Sequence, residues 1–335
     1  MPVKRVAGAS IKTAAPAKKQ KASDVWDFSL SATPSTPPTD LVGYSALYYG
    51  EAGVGKTELV KELGEQMGWK VYFLTWEPSS EGIEALRSPL LNDEVIDGTS
   101  VLGWQKGLIV AKRLARDAKK LGIVAVCNDT VRPAYDACLS YVCHRENITH
   151  PGEMKDYGAS WGKVTNEYKT FMDYFRGLGL AVINIAHEKV EEIETRAGKK
   201  FCVVKPAMSG ACDGYYRSTT AIIGYYYMLA GKRWLQVMGD DYVSAKCPSG
   251  RFRTSSGERI ERVPMGESAV EAANNLARAF NNEQTQTYPA EEGGVVLVKE
   301  MNLRTGKFES KAKKTERVAK TSTTTIAKKP LRKRM

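Results

Sequence analysis

The chain is 335 residues long, 42% hydrophobic and formally charged +11, enough to build the core of one large α/β domain or two small ones. Its longest apolar run, residues 219–230, is too short to span a bilayer and is broken by Gly224, and no apolar signal core stands among the first residues. No membrane partner is expected, and a soluble, cytoplasmic protein is.

The charge is unevenly placed. Residues 1–22 carry six Lys/Arg and no acid, and residues 304–335 carry twelve against Glu309 and Glu316, so the ends hold +6 and +10 and the body −5. Both ends are rich in Lys, Ala, Thr, Ser and Pro, a composition that cannot bury enough surface to offset ordering entropy, so disordered tails are expected. A flexible cation cluster binds nucleic-acid phosphates by counterion release, without reading sequence. The other reading is a solubilising or targeting tail, since KKPLRKR at 328–334 also passes for a nuclear localisation signal. The six cysteines form no CxxC pair and read as reduced thiols; Cys138, Cys143 and His144 lack the fourth ligand of a zinc site.

In chain order, residues 24–30, DVWDFSL, alternate Trp26, Phe28 and Leu30 with polar residues ahead of a Pro/Thr/Ser linker at 31–40. Such a segment docks on its own domain or adds a strand to a neighbouring subunit. Residues 44–57, YSALYYGEAGVGKT, read as a buried strand running into a phosphate-binding loop made of Gly50, Glu51, Ala52, Gly53, Val54, Gly55, Lys56 and Thr57. The glycines let backbone N–H groups face an anion, Lys56 reaches towards β- and γ-phosphates, and the Thr57 hydroxyl suits Mg²⁺. Leu59, Val60, Leu63 and Met67 then recur at helical spacing. The phosphates would therefore meet a helix N-terminus, whose dipole favours negative charge.

Residues 70–75, KVYFLT, form the next strand, with Glu77 just beyond it. Open parallel sheets present catalytic groups at the carboxyl ends of their strands, so Glu77 is the candidate to polarise an attacking water. Residues 81–97 read as loop with a short helical stretch, and 105–120 as an amphipathic helix with a basic outer face. The strand at 122–127 leads through Asn128 to Asp129, the candidate Walker B acid that, with Thr57, holds Mg²⁺ beside the loop. Helices are expected from 132 towards 142 and over 164–175, and then a strand at 180–186 ends at His187, whose ring at a strand tip can contact the γ-phosphate. Tyr215, Tyr216 and Arg217 read as base-stacking or as core. Residues 221–229 and 233–238 form an antiparallel hairpin turned at Gly231, and 240–246 continue the strand set. An amphipathic helix at 268–280 and a last hairpin within 295–308 close the ordered part.

The succession GEAGVGKT, a strand ending at Glu77, one ending at Asp129, one ending at His187, and Lys246 within SAKCPSGR resembles the RecA-like ATPases. It is most similar to the compact phage-encoded ATPases classed as single-strand annealing proteins, over residues 41–254. The resemblance implies a RecA-like α/β P-loop NTPase core with a mainly parallel central sheet and an antiparallel hairpin extension. It further implies ATP and Mg²⁺, DNA-stimulated hydrolysis, assembly into a ring or filament, and single-stranded DNA as partner in phage recombination within the host cytoplasm. A phage single-strand-binding protein is a further candidate partner. In that family the segment after the sensor strand meets DNA, which here brings in a mobile-looking stretch at 188–200 with Lys189, Arg196, Lys199 and Lys200. A cation from the next subunit can complete the site, and Lys246 and Arg251 are the candidates, with Pro248 and Gly250 turning the chain outward between them. A helicase-like or packaging motor, and a nucleic-acid-coating protein with a merely structural nucleotide site, are the alternatives. The expected organisation is a basic tail and linker at 1–40, the ATPase core at 41–255, a helix and hairpin packed on it at 256–308, and a basic tail at 309–335.

Overall fold

The computed structural model describes residues 36–288, apart from 79–81, 92, 97–98, 154–155 and 195–199, together with the backbone of 299–302 and 307–310. The basic N-terminal tail, the aromatic segment at 24–30 and residues 311–335 of the basic C-terminal tail lie outside the described residues. The chain divides between Pro38 and Thr39, and the sheet and its helices belong to the unit that begins at Thr39.

A 3₁₀ turn at Leu41–Gly43, capped by the Asp40 carboxylate on the Val42 N–H, leads into β1 (Ala46–Gly50), buried at every position. The phosphate-loop sequence comes next and opens α1 (Lys56–Met67), which ends on Gly68 in the left-handed conformation. Next come β2 (Lys70–Thr75), β3 (Leu86–Pro89) and the small antiparallel pair β4 (Glu94–Ile96) and β5 (Thr99–Val101). Helix α2 (Gly103–Leu121) returns the chain to β6 (Ile123–Asp129), and α3 (Val131–Glu146) and α4 (Ala159–Gly177) precede the long β7 (Ala181–Glu194) and its return strand β8 (Lys200–Pro206). The chain continues through α5 (Gly210–Thr219), β9 (Ile222–Leu229), β10 (Lys232–Gln236), β11 (Arg262–Gly266), α6 (Ala269–Phe280) and the hairpin β12 (Lys299–Asn302) and β13 (Lys307–Ser310).

The sheet order is β11-β10-β9-β1-β7-β6-β2-β3, with β8 paired to β7. Strands β9, β1, β7, β6, β2 and β3 are mutually parallel, and β10, β11 and β8 run antiparallel to their neighbours. A mainly parallel central sheet with an antiparallel extension is therefore the observed architecture. Because helices cover both faces, the central strands are apolar at successive positions. Leu47 and Tyr49 face a core shared with α2, α3, α4 and α5, whereas Ala46 and Tyr48 face one shared with α1 and α6. The first core centres on stacked aromatics, with Trp104 at 5.5 Å from Trp76, 4.5 Å from Phe171 and 5.8 Å from Tyr168. Truncating a ring buried in this way costs ~3–5 kcal/mol.

Where local signals are strong, the structure matches them. The β9–β10 hairpin turns on Ala230 (φ 50°) and Gly231 (φ 77°), the two left-handed positions that a tight hairpin turn demands. Helix α6 starts at a reciprocal capping box, Ser268 with Glu271.

Three expectations are corrected, and one left open is decided. Residues 81–97 hold no helix among the described residues; β3 adds to the sheet edge beside β2, where Pro89 is tolerated because an edge strand has one unpaired side. Residues 188–194 are strand, not loop: β7 continues through His187 to Glu194 and pairs with β8 from Glu188↔Pro206 to Glu194↔Lys200. Lys189 thus sits on a strand, while Arg196 and Lys199 lie outside the described residues. Residues 240–246 make only the isolated bridges Val204↔Val243 and Ile223↔Lys246, because the Asp240 carboxylate accepts from the N–H groups of Tyr242 and Val243 and turns the chain. Tyr215 and Tyr216 are core residues, 6% and 1% exposed, with Arg217 paired to Asp213 along α5, so they are not free to stack on bases.

Candidate functional site

Strand β1 delivers the phosphate loop to the carboxyl edge of the sheet. At its end Gly50 passes so close to β9 that a Cβ there would stand 1.9 Å from the Tyr226 carbonyl oxygen. The loop closes at Gly55, φ 95°, the N-cap of α1, where no side chain caps the helix. The first-turn N–H groups have no partner within the helix and suit an anion.

Lys56 is 5% exposed and donates its Nζ to the carbonyls of Gly50 (3.1 Å) and Glu51 (2.8 Å), which hold it across the loop. Burial pulls its pKa down, against the opposing charges of Asp129, Glu77, Glu188 and Glu51. Thr57 donates its hydroxyl to Asp129 Oδ2 at 3.0 Å. Asp129 is fully buried, and its Oδ1 has no hydrogen-bond partner. Burial chiefly, with Glu77 adding, pushes its pKa up to about 6, while Thr57, Lys56 and His187 oppose the rise. A carboxylate with one oxygen on a hydroxyl and the other orphaned is a poor resident of a dry site by itself. It fits a hard cation that prefers oxygen ligands and takes its remaining ones from phosphates and water, as Mg²⁺ does.

The neighbouring strand tips converge on this point because the parallel register aligns them. Gly50 is level with His187, and Thr75 is level with Asp129. Glu77 Oε2 lies 3.3 Å from the Thr130 hydroxyl and 3.3 Å from His187 Nε2. Five sequence candidates, Lys56, Thr57, Asp129, Glu77 and His187, therefore occupy one edge. Lys246 and Arg251 are placed elsewhere. Lys246 pairs with Ile223, level with Leu47 near the start of β1, and its Nζ donates to the Arg217 carbonyl at 2.8 Å. The Arg251 guanidinium stacks on Phe280, 4.7 Å from the ring centroid.

The polar end of β6 has a structural cause. Asn128 is fully buried; its Oδ1 accepts from Trp76 Nε1 at 2.8 Å, and its Nδ2 donates to Tyr168 at 3.3 Å and to Asn184 at 3.4 Å. Asn184 in turn donates to the Ala46 carbonyl at 3.3 Å. This satisfied network ties β1, β7 and β6 together directly beneath Asp129, fixing the carboxylate relative to the loop. Cys127 points to the opposite core, where burial raises its thiol pKa and leaves it inert.

Two charges near the loop escape sequence reasoning. Glu188 follows His187 on β7; its field reaches Lys56, and its Oε2 is buried without a hydrogen-bond partner. Arg233 arrives on β10, its Nε 3.9 Å from where a Cβ on Gly55 would stand. Neither belongs to a motif; only the pairing of distant strands brings them here.

A strand, a glycine loop with Lys56 and Thr57, a helix N-terminus and a carboxylate two strands away define a P-loop nucleotide-binding protein. The chain belongs to the AAA domain family, whose model matches residues 43–249. This supports an ATPase. No protein of curated function matches it. Among solved structures it is similar to the RadB recombinase, at 12% identity and a TM-score of 0.36, over 69% of this chain and 90% of that one. Among the described residues no helix is long and apolar enough to cross a membrane.

Proposed function

We propose that the protein binds ATP with Mg²⁺ in the phosphate loop, hydrolyses it, and uses the cycle on single-stranded DNA in recombination or annealing, as a ring or filament of copies. The observation that carries this reading is the convergence of Lys56, Thr57, Asp129, Glu77 and His187 on one sheet edge. Lys56 and the first-turn N–H groups of α1 neutralise the phosphate chain. Thr57 and Asp129 hold the Mg²⁺, which supplies charge stabilisation to the phosphates when bound. Glu77 orients the attacking water and takes its proton, and its contacts with His187 and Thr130 set the direction of that carboxylate. His187 reports on the γ-phosphate and passes its presence into the β7–β8 hairpin that continues from it.

The DNA part of the proposal rests on the tails, with their +6 and +10. Deleting residues 1–22 and 312–335 should flatten the dependence of log affinity for single-stranded DNA on log salt by about 0.7 for each phosphate no longer neutralised. An unchanged slope would move DNA binding onto the core. The phage setting, a phage single-strand-binding protein as partner, and the host cytoplasm belong to the same reading and rest on sequence resemblance alone.

Lys246 and Arg251 enter the proposal as cations that complete the site of a neighbouring copy. Lys246→Ala keeps its own loop and Lys56→Ala keeps Lys246, so a mixture should regain part of the hydrolysis that each lacks alone. Mixed assemblies as inactive as the separate variants would remove Lys246 from the mechanism.

A further inference from the structure

We infer that Arg233, on the β9–β10 hairpin, contacts the phosphate chain of the bound nucleotide from the side opposite Asp129. The inference rests on the nucleotide reading above and adds a residue that no motif contains. Strand β10 is antiparallel to β9 and pairs Arg233 with Met228, which places Arg233 at the carboxyl edge of the parallel sheet. That is the edge at which β1 releases the phosphate loop. The guanidinium stands beside Gly55, its Nε 3.9 Å from where a Cβ would be, with Glu58 Oε2 at 3.4 Å from the same point.

Among the described residues, the guanidinium has one hydrogen-bond acceptor, the Glu267 carbonyl, reached by Nη1. It forms no ion pair with any described carboxylate. Most of its five N–H donors thus remain available, on a planar fork suited to phosphate oxygens. The placement is also of the wrong sign for a resting protein. Arg233 adds a cation beside the N-terminus of α1 and the Lys56 ammonium, where the helix dipole already favours negative charge. Glu58 offsets it in part, and an anionic phosphate chain completes the balance.

The strand order fixes which phosphates it meets. Strands β10 and β6 each lie two places from β1, on opposite sides. Asp129 and Glu77 occupy the β6 and β2 side, where the γ-phosphate and attacking water belong. Arg233 therefore faces the inner phosphates, which ATP and ADP share.

Arg233→Gln in the full chain tests this, because the amide can still donate to the Glu267 carbonyl while the charge and the fork are gone. Titration of wild type and variant with Mg-ATP and with Mg-ADP should show the two dissociation constants rising together, by about tenfold or more for the removal of one charge-assisted hydrogen bond. The melting midpoint without nucleotide should stay at the wild-type value, and Arg233→Lys should recover part of the affinity. Wild-type dissociation constants in Arg233→Gln would overturn the inference. So would weaker binding matched by an equal loss of nucleotide-free stability, which would make Arg233 a structural tie. Wild-type protein that binds neither nucleotide would fail the proposed function itself, and this inference with it; the two failures are read from different samples.

Discussion

Lys56→Ala is expected to lower ATP hydrolysis by at least about 10²-fold, the effect of removing one preorganised charge from a site that stabilises a transferring phosphoryl group. The ammonium is held by the Gly50 and Glu51 carbonyls, so it needs no reorganisation when phosphates arrive. Its loss takes away the cation that burial has already stripped of water. The fold should survive, because the Glu51 carbonyl belongs to an exposed loop residue, where water can take the place of the ammonium. Phosphate release and thermal melting of the purified variant check both halves. Undiminished release from a folded variant would rule out the phosphate-loop reading.

Asp129→Asn is expected to act in two directions. Hydrolysis in Mg²⁺ should fall to background, because an amide supplies no charge to the metal. The nucleotide-free protein should become more stable. A buried carboxyl whose pKa rises from 3.8 to about 6 is destabilising while ionised, by roughly 2–3 kcal/mol at neutral pH. The sign follows from proton uptake. As pH falls through 6, the folded wild type takes up a proton before the unfolded chain does, so its stability rises; below about pH 4 both are protonated and the advantage of asparagine vanishes. The variant should therefore melt several degrees higher than wild type at pH 7 and at nearly the same temperature near pH 4. The same protonation should weaken Mg-ATP binding by the wild type below pH 6. Equal melting points at pH 7 would mean that Asp129 is not the strained, cation-seeking group described here.

The sequence carries the centre of the site because its demands are local. The glycines, Lys56 and Thr57 must occur consecutively between a buried strand and a helix, and Glu77, Asp129 and His187 each follow an apolar run directly. What it hides depends on distant pairing. EKVEEIE after His187 resembles a charged loop by composition, yet β8 zips along it and makes it a strand. LRSP at β3 has little strand propensity of its own and is held by β2. Asn128 is out of place in an apolar run until Trp76, Tyr168 and Asn184 gather round it. Arg233 carries no signal, since its approach to Gly55 depends on the folding of β10 back along β9. Lys246 and Arg251 stand out in sequence through their outward-turning segment, and the fold places them away from their own loop.

The proposed activity is ATP hydrolysis at this edge for work on single-stranded DNA. Phosphate release from ATP by the full chain, measured with and without Mg²⁺ and with and without single-stranded DNA, tests it most directly. Release that requires Mg²⁺ and rises when DNA is added is the predicted result; ATP that binds yet stays intact under all four conditions would contradict it.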